Sequence, residues 1–212
     1  MLPGRHYRIG REMLAVVKDI IHLFIVVTIV NVILYGLPIP KLIKKCRLSS
    51  YMIEGNNRFE YQQNRECGGY STAYVLRNLG IDIDGLTAYN QIPFKLLHGN
   101  VSGIGIILLC LRHKMKVLLR IGNIEALKDS VCKGIPVVVL TRSVVGSRGL
   151  HYITVVGFDN DYIYTADSVK DHKNSDDSRY NRKISISDFK KIWQTSLIYQ
   201  PLMFNLFFEI KK

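Results

Sequence analysis

Glu66-Cys67-Gly68-Gly69-Tyr70-Ser71-Thr72-Ala73-Tyr74-Val75-Leu76-Arg77-Asn78-Leu79-Gly80 is the stretch whose reading decides the fold. Tyr70, Ala73, Leu76 and Leu79 recur every three or four residues, with Val75 widening the stripe, which is the period of a helix burying one face. Gly80 stands where a helix C-terminus favours a residue tolerant of positive φ. The helix therefore begins at or just before Cys67. Unpaired N–H groups at a helix start favour a nearby anion, and the thiolate is the nucleophilic form of cysteine. Gly68 and Gly69 are expected to leave open space beside the sulfur for a substrate carbonyl. Glu66 would oppose a thiolate if its carboxylate faced the sulfur. Taken alone, such a cysteine is more often a small buried apolar residue than a nucleophile.

Downstream residues reverse that balance. His151-Tyr152-Ile153-Thr154-Val155-Val156-Gly157-Phe158 and Tyr162-Ile163-Tyr164-Thr165-Ala166-Asp167 are rich in β-branched and aromatic residues and flank Asp159-Asn160-Asp161. This pattern predicts a β-hairpin. It brings His151 and Asp167 to within about 10 Å of one level, whichever faces they take. An imidazole able to accept the thiol proton, with a carboxylate to fix its tautomer, is what a cysteine nucleophile requires.

In these residues the chain resembles the papain-fold peptidases typified by the bacteriocin-processing, double-glycine leader peptidases, and more closely their stand-alone peptidase-like relatives. The resemblance rests on Gln62-Gln63-x-x-Glu66-Cys67-Gly68, on His151-Tyr152 with the apolar run to Gly157-Phe158-Asp159, and on Tyr164-Thr165-Ala166-Asp167-Ser168. It covers roughly residues 56 to 212. It implies Cys67 as nucleophile, His151 as general base and then acid, Asp167 as orienting carboxylate, and Gln62, with Gln63 second, as donor to the oxyanion. The sequence departs from the family pattern at three points. The family's glutamine usually stands six residues before the cysteine, where this chain has Tyr61. Ser168 follows Asp167 where the transporter-linked enzymes commonly have proline. There is no fused ATP-binding transporter and no Walker-type loop.

The expected organisation is a basic segment over 1–19, a transmembrane anchor over 20–37, a linker over 38–55 and a papain-like domain over 56–212. Ile20 to Leu37 is uncharged and largely apolar and ends at Pro38 and Pro40, just long enough to span. A long polar lead and no Ala-x-Ala-like site favour an uncleaved anchor over a signal peptide. Arg5, Arg8, Arg11 and Lys18 on one flank nearly balance Lys41, Lys44, Lys45 and Arg47 on the other, so the charge rule leaves orientation almost tied. The domain is expected outside by analogy with signal-anchored enzymes, and the run from Lys41 to Arg47 could equally lie on anionic head groups.

The formal charge of +12 fits attraction to anionic lipid or cell-wall polymer. Scattered basic residues and no recognised motif argue against nucleic acid. Cys46, Cys67, Cys110 and Cys132 form no C-x-x-C pair, so no metal or other cofactor is expected, and Cys110 reads as core. Predicted helices over Leu86–Leu97, Ile104–Lys114 and Ile124–Cys132 and strands over Lys116–Arg120 and Lys133–Leu140 are followed by the hairpin and a late helix over Ile184–Trp193. Helices first and strands afterwards give an α+β order. The loop Val144 to Gly149 could line a cleft, and Asp171 to Lys183 reads as a solvated loop that could still reach Asp167. The expected activity is peptide or leader cleavage through a Cys67 acyl-enzyme, with a peptide or protein substrate and a separate transporter as candidate partner. Acyl transfer by the same residues, or peptide binding by a catalytically silent domain, are the alternatives.

Overall fold

The computed structural model describes residues 4–42, 46–55, 57–195, 200 and 202–212, with side chains from residue 12 onward. Lys44 and Lys45, and the side chains of Arg5, Arg8 and Arg11, lie outside the described residues. The elements in order are α1 (Gly4–Tyr35), β1 (Ile39–Pro40), β2 (Tyr51–Met52), α2 (Cys67–Asn78), α3 (Gly85–Gln91), α4 (Gly103–Arg112), β3 (Lys116–Ile121), α5 (Ile124–Val131), β4 (Val137–Arg142), β5 (Leu150–Phe158), β6 (Tyr162–Ala166), β7 (Arg182–Ser185), α6 (Ile186–Trp193) and β8 (Leu206–Lys211). The strands form one sheet in the order β1-β3-β8-β4-β5-β6-β7, with β2 paired to the end of β5. All pairs are antiparallel except β1 with β3. This is the expected α+β, papain-like arrangement, with helix α2 packed on a mainly antiparallel sheet.

Helices cover both faces of the sheet because strand residues alternate sides. On one side Ala73, Leu76, Ile106 and Leu109 of α2 and α4 meet Val138, Leu140, Tyr152 and Phe208. On the other, Leu127, Phe189, Ile192 and Trp193 of α5 and α6 meet Val139, Ile153, Val155 and Phe207. β8, which the sequence reading left unassigned, is the strand that joins β3 to β4 and is buried along most of its length. Its Leu206 carbonyl accepts a hydrogen bond from Trp193 Nε1 at 3.0 Å.

Several predicted elements shift at their ends for local reasons. α3 stops at Gln91 rather than Leu97, since Ile92 precedes Pro93 and takes an extended conformation. The late helix starts at Ile186, because Ser185 caps it by accepting from the Asp188 N–H, and Ile184 belongs to β7. Gly80 does adopt positive φ after α2, at +88°.

α1 is longer than the predicted apolar run. Its stretch Glu12–Tyr35 is long and apolar enough to cross a membrane, with mean hydropathy 2.3 over its most apolar window, none of which is buried. Its last turn is different: Asn31 and Tyr35 are buried, and Leu34 packs on the core. A Cβ on Gly103 would stand 2.7 Å from the Tyr35 carbonyl oxygen, so α4 begins in backbone contact with the end of α1. The residues that follow are bound to the domain as well. Lys41 is buried in an ion pair with Glu209 and lies 3.5 Å from Asp129, and Cys46 is disulfide-bonded to Cys132. Lys41 is therefore not available to lipid head groups.

Candidate active site

α2 presents Cys67 as its first residue. One turn on, the helix is pinned to β5: Ser71 Oγ donates to the Tyr152 carbonyl at 2.9 Å and Thr154 Oγ1 donates to the Ser71 carbonyl at 3.0 Å. These bonds set the thiol beside the start of β5, where His151 lies. Glu66 does not face the sulfur; its carboxylate turns back and accepts from the N–H groups of Gln63 and Asn64. Gly68 and Gly69 serve close packing instead of the open space expected beside the thiol. A Cβ on Gly68 would meet Val101 at 2.7 Å, and one on Gly69 would meet Tyr89 at 2.5 Å.

His151 and Asp167 share a face because of a bulge. Between Gly157 and Val155 the β5–β6 register shifts by one residue, leaving Val156 unmatched. With the shift, Asp167 continues the register opposite Ile153, on the same face as His151. Without it, Asp167 would continue opposite Thr154, on the face turned to α2, because a one-residue slip reverses every side chain. The result is a hydrogen bond of 2.7 Å from His151 Nε2 to Asp167 Oδ1. The remaining ring nitrogen, Nδ1, is not used by that bond, and Cys67 lines the same cleft as the ring.

Asp167 is the most heavily bonded group of the site. Oδ1 also accepts from the Val169 N–H at 2.9 Å, and Oδ2 accepts from His172 Nδ1 at 2.9 Å and Arg182 Nη1 at 2.7 Å. Its backbone is clamped by the Asn181 carboxamide at 2.8 and 2.7 Å. Burial favours a neutral carboxyl, but the charge of His151, the hydrogen bonds of His151 and His172 and the charge of Arg182 hold Asp167 far below the ordinary carboxylate range. For His151, burial pulls the pKa down, yet the Asp167 charge and hydrogen bond, with Cys67 adding, raise it to about 10. The Asp167 carboxylate therefore favours a proton on the His151 ring.

His172, Asn181 and Arg182 were not picked out in the sequence, where they fall in or beside a charged stretch read as solvated. Their only signal was the proximity of that stretch to Asp167. His151, Asp167 and His172 bring three ligand atoms within 4.8 Å of one another. A cation there would meet the Arg182 guanidinium, which is 2.7 Å from Asp167 Oδ2 and 3.2 Å from His172 Nδ1. The donor set suits an arginine and not a metal ion.

Cys67, His151 and Gln62 line one cleft of about 560 Å³, together with Tyr35, Leu96 and Gly149. Gln62 is held to the segment after Asp167: its N–H donates to the Ser168 carbonyl at 2.9 Å and its Oε1 accepts from Ser168 Oγ at 2.7 Å. Its Nε2 donates to the Asn64 carbonyl. One amide hydrogen remains for another acceptor. Gln63 is exposed and does not line the cleft.

The pattern of the peptidase C39-like family matches residues 56–197. The chain belongs to the peptidase C39-like family. Three solved C39-type structures share its fold. One, described as a C39-like peptidase from Bacillus anthracis, is 21% identical and superposes with a TM-score of 0.57 over 76% of this chain and 97% of its own. The peptidase domain of Streptococcus ComA, a bi-functional ABC transporter involved in quorum sensing, is 16% identical at 0.57 over 74% and 98%. A double glycine motif protease from an AMS/PCAT transporter, solved with its leader peptide, is 14% identical at 0.55 over 76% and 93%. Among curated proteins, none matches this C39-like chain in sequence.

Proposed function

We propose that this C39-like protein is a membrane-anchored cysteine peptidase that cuts a peptide or leader segment. The observation that carries the reading is that Cys67 and His151 line one cleft while His151 is hydrogen-bonded to the buried Asp167 behind it at 2.7 Å. Cys67 Sγ attacks the scissile carbonyl carbon, and its proton passes through His151 to the departing amine as the C–N bond breaks. Water then adds to the thioester with His151 as base, releasing the acid and the thiol. The free amide hydrogen of Gln62 and the N-terminal end of α2 supply donors for the oxyanion. The fold it shares with leader-processing domains supports a peptide substrate.

The Cys46–Cys132 disulfide favours an oxidising compartment and hence a domain outside the cytoplasm. The burial of Lys41 agrees, since it removes one charge from the C-terminal flank and tips the near-tied balance towards an inside N-terminus. The test is to treat the full chain in detergent with iodoacetamide at mildly acidic pH and map adducts in wild type, Cys67→Ala and His151→Ala. Selective labelling of Cys67 that depends on His151 supports the catalytic pair. Labelling of Cys67 no faster than Cys110, or unaffected by loss of His151, sinks it.

A further inference from the structure

The segment joining α3 to α4 holds two large apolar side chains in solvent: Phe94 is 77% exposed and Leu97 85%. Both sit beside strained backbone. Phe94 has φ +56° and His98 φ +61°, the left-handed region that residues with side chains rarely adopt. Neither Phe94 nor Leu97 belongs to a core cluster, and the turn around His98 is closed by backbone bonds from the Leu96 N–H to the Asn100 carbonyl at 2.8 Å and from the Gly99 N–H to the Leu96 carbonyl at 3.0 Å.

Leu96 and Asn100, from the same segment, line the catalytic cleft together with Tyr35, the last residue of α1. α4 touches Tyr35 at Gly103 and, one turn later, reaches Gly36 through Ile107. It thus runs away from the body of α1, and the segment that feeds it lies on the α1 side of the domain. There the exposed apolar surface is already continuous: Ile29, Val30 and Ile33 of α1 are all exposed, and Leu37, just past the helix, is 67% exposed. At 1.5 Å per residue, Val30 stands only about 7.5 Å below Tyr35 along the helix axis.

We propose that Phe94 and Leu97 insert into the interfacial layer of the bilayer beside α1, so that the cleft opens at the membrane surface and acts on peptide segments lying on or leaving the membrane. The inference rests on the reading of α1 as a membrane anchor. An aromatic and an aliphatic side chain projecting from one short segment is a suitable interfacial wedge. The consequence for substrate choice is geometric: a cut site held close to the bilayer meets the cleft at a raised effective concentration, whereas a freely diffusing peptide gains nothing from the placement.

The experiment uses the full chain in vesicles of phosphatidylcholine and phosphatidylglycerol, with phosphatidylcholine brominated either near the head group or deep in the chain. Phe94→Trp, Leu97→Trp and, as a control on α1, Phe24→Trp are compared with the native protein, whose single Trp193 is buried. The expected result is quenching of Phe94→Trp and Leu97→Trp at least threefold above the Trp193 background, stronger with the shallow lipid, and quenching of Phe24→Trp stronger with the deep one. Quenching of Phe24→Trp alone overturns the proposal and leaves the anchor standing. No quenching at any of the three overturns both. A blue shift of Phe94→Trp only on adding a soluble peptide, without lipid quenching, assigns the patch to the substrate and also overturns the proposal.

Discussion

Replacing Asp167 by asparagine probes the centre of the site with almost no change of shape. The carboxylate accepts from four donors, His151 Nε2, the Val169 N–H, His172 Nδ1 and Arg182 Nη1. A carboxamide has one accepting oxygen, so whichever way it turns, its NH₂ group faces two of these donors. Losing two of the four bonds to a charged group removes about 3–6 kcal/mol in all, the stranded donors included. Against a total stability of about 5–15 kcal/mol the variant should still fold, at a clearly lower melting temperature.

The effect on His151 is the diagnostic part. Its pKa, raised to about 10 chiefly by Asp167, falls towards the ordinary 6.5. At about 1.4 kcal/mol per tenfold, the imidazolium loses at most on the order of 5 kcal/mol of stabilisation, equivalent to some thousandfold or more. Because the folded value is raised, the stability this group contributes is fully present below about pH 6.5 and is lost as pH rises through about 10. Wild type should therefore lose stability towards pH 10, and Asp167→Asn should lack that slope. Iodoacetamide labelling of Cys67 should run at least tenfold faster in wild type at pH 8, where only wild type keeps the imidazolium, and the gap should narrow at pH 5, where both carry it. A gap of equal size at pH 5 and pH 8, or none, would refute the account of Asp167 as the group that holds His151 charged.

Three further outcomes are expected. Ser168→Ala removes the hydroxyl that orients Gln62, a bond worth about 1 kcal/mol, so peptide cleavage should slow by about fivefold while iodoacetamide labelling of Cys67 is unchanged; equal slowing of both would place the hydroxyl's effect on Cys67 itself. Cys46→Ser with Cys132→Ser opens a loop of 86 residues' separation, which loop-closure entropy values at about 4–5 kcal/mol, and the melting temperature should fall by about 10 °C or more, as should that of wild type under reductant. Glu209, its pKa lowered to about 2 against the pull of burial by Lys41, Ser130 and Arg120, contributes stability above about pH 4.5 that disappears as pH falls towards 2. Glu209→Gln should abolish that acid limb in a pH series of melts and cost about 3–5 kcal/mol at neutral pH.

The amino-acid sequence by itself determined the pieces whose physics is local. The α2 period fixed a helix starting at Cys67, the β-branched runs around Asp159-Asn160-Asp161 fixed the β5–β6 hairpin, and the apolar run fixed a helix long enough to span a bilayer. Local pattern also put His151 and Asp167 at one level, but it could not put them on one face. That was decided by the extra residue at Val156, a bulge that depends on how β5 is held between β4, β6 and β2. Gly68 and Gly69 looked like room for a substrate until Val101 and Tyr89, distant in sequence, filled it. Arg182 and His172 looked solvated because charge alone marks a surface, and only the fold turns that segment back onto Asp167. β8 carries no period of its own, since a strand buried on both faces has none to show. Side-chain pattern reports which face a residue takes within its own element, whereas register between elements and the pairing of buried charges exist only once the chain has closed on itself.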